Sequence, residues 1–384
     1  MTAAPATNNA AVAPLAAERA RYDAGRSFSV QEAHRHVRDL FGHRVWIYWT
    51  DFLLSLAVGV TAFWAAGPLG LLSPAGLLCS LVAALALYRC FAFIHEIAHF
   101  RAKRALRGFR IGWNVLVGIP LLAPVFLYES HGEHHNKKLY GTERDAEYLP
   151  LARLSVRHSV VVVLGSFALP FFGPVRFGLL APLGWLIPPL RRRVHRSLST
   201  IKLDLEYQGR QPVGRRERAS WAAQEAAAAV YVWAMAALAV SGAVPVSRLL
   251  QWYAVFSVLA LANSLRILAA HRYLGNEEEM SVVEQMLDTV NYPRNRWLAE
   301  LWAPVGLRLH ALHHLMPGLP YHAYGAAHRR LVTALPADSA YRLTESPGMA
   351  RSLRELWHSC RAHRRAGAIL PLRPRTAPEA GGVR

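Results

Sequence analysis

The sequence predicts an all-α integral membrane protein, with about four transmembrane helices and a cytoplasmic helical cap that carries clustered histidines. Three observations lead to this fold class. Hydrophobic residues make up 53% of the chain and charged residues only 18%. Four apolar runs are each long enough to cross a bilayer as a helix. Histidines recur near the apolar runs at spacings of three and four residues, which bring side chains to one face of a helix.

The charge balance has two interpretations. The chain carries 44 Lys and Arg against 25 Asp and Glu, a net charge of +19. Nucleic-acid binding would explain such an excess, but the apolar runs favour a membrane protein whose positive loops face the cytoplasm. We therefore predict contact with membrane lipids and no nucleic-acid partner. The three cysteines, Cys79, Cys90 and Cys360, are too scattered for a disulfide framework or a zinc ribbon.

The N-terminal segment is expected to lie outside the membrane domain. Residues 1–27 are rich in Ala, Pro and Asn and lack the apolar core of a signal peptide, so they are predicted to form a disordered tail. Ser29 and Glu32 form a possible capping box for a short amphipathic helix that ends near Phe41. The membrane domain is predicted to cover residues 28–366, and residues 367–384 are predicted to be a disordered C-terminal tail.

The four predicted spans form two hairpins, 45–66 with 71–94 and 221–244 with 249–270. The first link, 67–70, has no Lys or Arg, whereas five basic residues follow the second span before residue 111. By the positive-inside rule, the histidines beside this basic stretch and both termini are predicted to be cytoplasmic.

Two further apolar stretches are interrupted by proline. Residues 111–127 contain Pro120 and Pro124, and we interpret them as an interfacial or re-entrant segment that returns the chain to the cytoplasmic side. Residues 160–190 contain five prolines and are predicted to be membrane-surface structure. A basic loop, 191–218, follows.

Three histidine boxes stand out from this background. They read His-Glu-Ile-Ala-His, His-Gly-Glu-His-His and His-Ala-Leu-His-His, and their histidines are His95, His99, His131, His134, His135, His310, His313 and His314. One such pair would usually be a surface pair or a core residue. Three boxes at one face of the membrane instead indicate a metal centre. With His271, just after the fourth span, nine imidazoles suit two metals, since one tetrahedral zinc takes four ligands. Imidazole binds Zn, Cu, Fe and Ni alike.

The three boxes and their order resemble the membrane fatty acid desaturases. Similar boxes occur in the wider group that contains sphingolipid desaturases, alkane hydroxylases and carotenoid ketolases. The resemblance covers about residues 95–330, and its most specific stretches are 131–138, 140–148 and 310–322, the last ending Pro-Gly-Leu-Pro-Tyr-His. It implies a non-haem diiron centre that uses O2 and two electrons, and a lipid acyl chain as substrate.

By this resemblance, the eight boxed histidines would be iron ligands and His271 would be the isolated ninth. Many members of the family have Asn four residues before that ligand, whereas this chain has Ile267. No catalytic residue is predicted beyond the metal ligands. Five polar residues near the boxes are candidates to accept the second N–H of an imidazole, although they could equally be ordinary helix-surface or structural residues: Glu96, Glu133, Asp145, Glu147 and His322.

The predicted function is therefore that of an O2-dependent fatty-acyl desaturase. A hydroxylase or ketolase with the same metal site is the first alternative, because the boxes do not distinguish these reactions. A metal transporter or sensor is less favoured, since a transporter should carry ionisable residues in mid-span. The sequence contains no His-Pro-Gly-Gly haem motif, cysteine cluster or glycine fingerprint. Electrons are thus predicted to come from a separate ferredoxin, rubredoxin or cytochrome.

Overall fold

The computed structural model of the protein describes residues 9–368, with side chains from residue 15 onward. Within that part the regular elements are helices, joined in places by isolated β-bridges. The α-helices in chain order are α1 Asn9–Gly25, α2 Val30–Val37, α3 Val45–Ala65, α4 Pro74–His99, α5 Arg107–Trp113, α6 His131–His134, α7 Val156–Gly165, α8 Leu169–Pro174, α9 Ala181–Leu186, α10 Pro188–Leu198, α11 Gly214–Val240, α12 Val246–Ala270, α13 Val282–Asp288, α14 Arg296–Trp302, α15 His310–Leu315, α16 Tyr324–Ala334 and α17 Met349–Arg365. The predicted all-α membrane fold is confirmed.

Shorter helical segments complete the chain. They are the 3-10 turns Arg38–Leu40, Arg104–Leu106, Val125–Tyr128, Leu151–Arg153, Tyr321–Ala323 and Ala340–Thr344, and the π-helical segments Asn114–Gly118 and Val175–Leu180. The second π-helical segment joins α8 to α9 in one helical run, Leu169–Leu186. The predicted interfacial segment 111–127 consists of the end of α5, the first π-helical segment, an irregular turn and most of the 3-10 turn Val125–Tyr128.

Helices α3 and α4 form one membrane hairpin and α11 and α12 form the other. All four are long and apolar enough to cross a membrane. They overlap the four predicted spans, and α11 begins seven residues before residue 221. Helix α4 continues five residues beyond the predicted end at residue 94, because no Gly or Pro interrupts it before Phe100. The first histidine box therefore lies in about the last turn and a half of helix α4.

The two hairpins stand side by side with their short links at the same end. Arg248 and Gln251, in the first turns of α12, both donate hydrogen bonds to the carbonyl oxygen of Phe63 near the end of α3, at 2.9 and 2.7 Å. Farther along, Ala83 of α4 and Val255 of α12 share a buried apolar contact. The opposite ends of α4 and α12 consequently lie together, and these are the ends that carry histidines.

The run Leu169–Leu186 differs from its prediction. It is a fifth helix that is long and apolar enough to cross a membrane. Phe171 packs against Tyr253 of α12, which is 18 residues and so roughly 27 Å along the helix axis from His271.

Nevertheless, the chain enters and leaves this region from the same side. Before it, the N–H of Ala152 donates to the carbonyl of Tyr273, and after it, the N–H of Ile201 donates to the carbonyl of Leu127 at 2.7 Å. Both acceptors lie beside the histidine-bearing ends of the spans. We infer from these contacts that helix α7 and the run Leu169–Leu186 form a re-entrant hairpin beside the four candidate spans.

The predicted disorder of residues 1–27 is wrong for the part that the structure describes. Residues 9–25 form helix α1 because their alanine-rich sequence has high helix propensity. The helix packs along α17, where Ser359 donates to Glu18 at 2.5 Å. Residues 1–8 and 369–384, which include most of the predicted C-terminal tail, lie outside the described residues. Helix α2 begins as predicted, with the N–H of Glu32 donating to Ser29 Oγ at 3.2 Å.

A buried apolar cluster supports the third histidine box. Leu309, Leu312 and Leu315 of the α15 region pack with Met286 and Leu287 of α13 in this cluster. The side chain of Asn291 adds a polar link, since it accepts from the N–H of Leu312 at 3.1 Å and donates to Thr344 at 2.9 Å. These contacts hold α13 and α15, and with them the third histidine box, at a defined position against the ends of the spans.

Candidate metal centre

All nine predicted histidines converge at one end of the helix bundle. His95 and His99 lie on one face of α4, His271 follows the last residue of α12, and the other two boxes form α6 and α15. The nine residues form two groups, in each of which one ligand atom per residue lies within 4.8 Å of the others. The first group is His95, His99, His131, His135 and His313, and the second is His134, His271, His310 and His314.

The second and third boxes each contribute to both groups. His134 and His135 are consecutive, and they enter different groups because successive residues point about 100° apart around a helix. His313 and His314 divide in the same way. The two groups are therefore neighbours that share two short helices, as two adjacent metal ions would require.

The distances between ring nitrogens fit coordination to a common ion. His131 Nε2 lies 3.0 Å from His99 Nε2 and 3.1 Å from His135 Nε2, and His310 Nε2 lies 3.0 Å from His271 Nε2. Imidazole nitrogens bind metals at about 2.1 Å, so two donors at right angles around one ion would lie about 3.0 Å apart. The observed separations are therefore those expected for imidazoles that share an ion.

His95 gives a separate indication of metal binding. Both of its ring nitrogens are buried and have no hydrogen-bond partner among the described residues. Buried polar atoms are nearly always paired, and an exception requires an explanation such as an ion. A metal in the five-histidine group would occupy one of these nitrogens.

Two carboxylates, one buried and one partly buried, orient histidines of the second box. Glu147 accepts from His131 Nδ1 at 2.8 Å, and Asp145 accepts from His134 Nδ1 at 2.9 Å. Asp145 is fully buried and is itself held by the N–H of Gly141 at 3.1 Å. When Nδ1 donates its hydrogen to a carboxylate, the lone pair of Nε2 is free to bind a metal.

Sequence reasoning missed three residues that act in the same way. The phenolic oxygen of Tyr140 lies 3.0 Å from His271 Nδ1 and donates to Asp288 at 2.8 Å. The hydroxyl of Tyr324 lies 2.6 Å from His313 Nδ1. Tyr140 falls within a stretch that carries the family resemblance, but nothing in its local pattern marks a contact with His271.

Glu96 differs from its predicted role. Its carboxylate accepts from the hydroxyl of Tyr48 at 2.8 Å and from the backbone N–H of Tyr321 at 3.2 Å. It thus ties the first two spans to the segment that follows the third box, and no hydrogen bond joins it to a histidine of either group within the described part of the chain.

Glu133 and His322 also have other partners than those predicted. Glu133 accepts from the hydroxyl of Tyr207 at 2.7 Å, and His322 Nε2 accepts from the backbone N–H of Arg44 at 3.3 Å. Both residues join segments that surround the two histidine groups. Of the five candidates for orienting a ligand, the structure brings Asp145 and Glu147 into contact with imidazoles.

Burial favours neutral, ligand-ready imidazoles in the third histidine box. Burial, reinforced by neighbouring imidazoles, holds the pKa of His310, His313 and His314 well below the usual range. Burial would raise the pKa of Glu147, but His131, His134 and the hydrogen bond from Tyr128 together outweigh this effect, and the pKa falls to about 2. A metal can therefore bind these nitrogens without first displacing protons.

Comparison with known proteins agrees with this geometry. The model of the family described as "Fatty acid desaturase" matches residues 71–345. A ceramide hydroxylase from Caulobacter vibrioides (strain NA1000 / CB15N) is 40% identical over 332 residues, which cover 86% of this chain and 93% of that protein. No solved structure gives a significant match. Because the family match spans more than half of the sequence, the chain belongs to the fatty acid desaturase family and is a membrane oxidoreductase.

Proposed function

We propose that this protein is a membrane-bound, O2-dependent hydroxylase of a ceramide-type lipid. The proposal rests on the paired histidine groups in a chain that is 40% identical to a ceramide hydroxylase. The relative's activity supports hydroxylation better than the desaturation that the sequence resemblance favoured. Hydroxylation was the first alternative from sequence, and the same metal site serves both reactions.

We infer further that each histidine group holds one iron. Nine imidazoles in two adjoining groups fit two metal ions, and the family match favours iron among the metals that imidazole binds. Two bound irons supply the oxidising power that an unactivated C–H bond requires, with O2 and two electrons as co-reactants. Elemental analysis should find about two irons per chain, one for each group, and stoichiometric zinc after growth with ample iron would contradict the inference.

The position of the groups suits a lipid substrate. Seven of the nine histidines are buried, and the two partly exposed ones, His99 and His135, both belong to the five-histidine group. That group lies at the end of α4, at the level where a membrane helix leaves the bilayer. A carbon near the polar end of a bilayer lipid would lie at this depth, and the surrounding protein would exclude water from it.

The two candidate reactions differ in the fate of oxygen. Hydroxylation inserts one atom of O2 into a C–H bond and releases the other as water, using two electrons and two protons. Desaturation removes two hydrogens from neighbouring carbons and releases both oxygen atoms as water. Either reaction consumes two external electrons, and we propose that a separate ferredoxin, rubredoxin or cytochrome delivers them.

Mass spectrometry of the lipid product distinguishes these reactions. Membranes that contain the protein, a reducing system and ceramide should be exposed to isotope-labelled O2. We expect a ceramide product that gains one labelled oxygen, and no product from the variants His313→Ala and His310→Ala, which remove one histidine from each group. An unlabelled product that has lost two hydrogens would instead support the desaturase alternative. Unchanged ceramide beside an altered fatty acyl lipid would contradict the proposed substrate class.

We also propose that the histidine end of the bundle faces the cytoplasm. Basic residues crowd the chain just after α4, where Arg101, Lys103, Arg104 and Arg107 follow His99 within eight residues. Loops that are rich in Lys and Arg stay on the cytoplasmic side of membranes. An electron carrier from the cytoplasm could then reach the metal groups directly.

A further inference from the structure

A large cavity adjoins the four-histidine group on the side away from the spans. It has a volume of about 490 Å³, lies between α1 and α17, and has His271 in its wall. Arginines enter it from α1, from α17 and from the residue that follows His271. Its acidic and arginine lining residues are Glu18, Arg21, Arg272, Arg351, Arg354 and Glu355.

Two of these guanidinium groups converge on one neutral acceptor. Arg272 Nη2 donates to the carbonyl oxygen of Leu343 at 3.1 Å, and Arg21 Nη1 donates to the same oxygen. Burial and the nearby charge of Arg272 lower the pKa of Arg21 to about 10. Like charges held together in a partly buried wall repel each other unless an anion lies between or beside them.

The carboxylates of the cavity do not neutralise this charge. Glu355 is shared by Arg351 at 2.7 Å and Arg272 at 3.2 Å. Glu18 accepts from Ser359 at 2.5 Å and lies 3.6 Å from His363 Nε2. Arg21 forms no ion pair within residues 15–368. Four arginines against two glutamates leave an excess of two positive charges in the cavity.

Arg272 also has an unused donor. The Arg272 side chain is 11% exposed. Its Nε is buried and has no hydrogen-bond partner among the described residues. Buried guanidinium N–H groups are normally bonded. An acceptor with several oxygens would satisfy this donor and bridge Arg272 to Arg21.

We propose that this cavity binds a phosphate group, borne either by an anionic lipid headgroup or by a free phosphate compound. A phosphate carries about −1.5 to −2 charges at neutral pH, which matches the excess of two, whereas a single carboxylate carries one. Guanidinium groups bind phosphate oxygens through paired N–H donors. Arg21 and Arg272 form the inner end of the site, and the exposed Arg354 stands at its rim. The site lies beyond the proposed hydroxylase chemistry and does not depend on it.

Thermal unfolding with inorganic phosphate tests the proposal directly. The full-length, metal-loaded protein should be held in a maltoside detergent, which carries no phosphate, and titrated with phosphate or with chloride at equal ionic strength. We expect phosphate, but not chloride, to raise the midpoint in a saturable way. Arg21→Gln and Arg354→Gln should weaken the apparent affinity about tenfold, which corresponds to the loss of one charge-assisted hydrogen bond.

A matched surface variant and a lipid arm complete the experiment. Arg330→Gln removes an arginine whose ion pair with Asp39 lies on the exposed surface, and it should bind phosphate like the parent protein. Native mass spectrometry with phosphatidic acid then identifies the source. Binding of the lipid that Arg21→Gln abolishes indicates a headgroup site, and binding of inorganic phosphate alone indicates a free phosphate compound. Equal binding by all three variants, or no saturable binding of either probe, overturns the proposal.

Discussion

Tyr140 and His271, which are 131 residues apart in the sequence, are joined by a 3.0 Å contact between the phenolic oxygen and Nδ1. The same hydroxyl donates its hydrogen to the buried carboxylate of Asp288 at 2.8 Å. The hydroxyl must then accept from Nδ1–H, and this fixes the tautomer in which His271 Nε2 carries a lone pair. A residue from the second-box segment thus prepares a histidine of the last span to bind metal.

Removal of this hydroxyl should weaken the four-histidine group. In Tyr140→Phe, the ring of His271 loses the acceptor that sets its orientation, and metal affinity should fall by about 10–100-fold. Metal titration of the purified protein should show one group filling normally and the other filling at a higher metal concentration. Tyr148→Phe is the matched control, because its hydroxyl accepts from the backbone N–H of Gly275 rather than from a histidine. Equal metal affinities in the two variants would contradict the role of Tyr140.

Glu147 should matter to turnover far more than Glu133. Glu147→Ala removes the acceptor of His131 Nδ1, and turnover should fall by about 10–100-fold. Glu147→Gln should lose less, because its amide oxygen can still accept the hydrogen bond. Glu133→Ala breaks a hydrogen bond to Tyr207 but touches no histidine ligand, so it should stay close to the parent rate. Similar losses in both alanine variants would indicate that the cap, rather than the imidazole, is the sensitive element.

The role of His95 as a metal ligand can be tested by protein stability as well as by activity. In the metal-free protein its two unpaired ring nitrogens are expected to cost about 1–3 kcal/mol. His95→Leu, which fills a similar volume, should therefore leave the metal-free protein as stable as the parent or more so. Added iron should stabilise the parent protein more than the variant. A metal-free variant that is clearly less stable would mean that His95 has a structural partner.

The re-entrant hairpin can be tested by cysteine labelling in intact cells. Cys79 should first be replaced by Ser, because it is partly exposed and could react with the reagent. Cys90 and Cys360 can stay, because they are buried. An impermeant thiol reagent outside the cell should then label cysteines introduced at Gly70 and Gly242, in the two short links. Cysteines at Ser130 and Arg192 should stay unlabelled, because both flanks of α7 to α9 bond to the histidine side. Labelling at Arg192 alone would show that Leu169–Leu186 crosses the membrane completely.

Local patterns in the sequence were sufficient for the membrane fold and for the histidines that converge. The spans follow from the length of apolar runs, and a spacing of three or four residues brings histidines to one helix face whatever surrounds them. The same reasoning failed for residues 9–25, where an alanine-rich segment of high helix propensity forms a helix that packs on α17. It also placed Leu169–Leu186 on the membrane surface, because prolines usually interrupt a helix. The π-helical segment Val175–Leu180 keeps this run continuous, and the sequence pattern gave no sign of it.

The sequence by itself determined that nine histidines of this chain would meet at one end of two membrane hairpins, because hydropathy and helical spacing are local properties. Only the tertiary structure decided how they divide into groups of five and four, and that Tyr140, Asp288 and Tyr324 orient them. These contacts join segments more than 200 residues apart, as between His95 and His313. Such pairings depend on how the cap packs across the ends of the spans, and no periodicity along the chain encodes that packing.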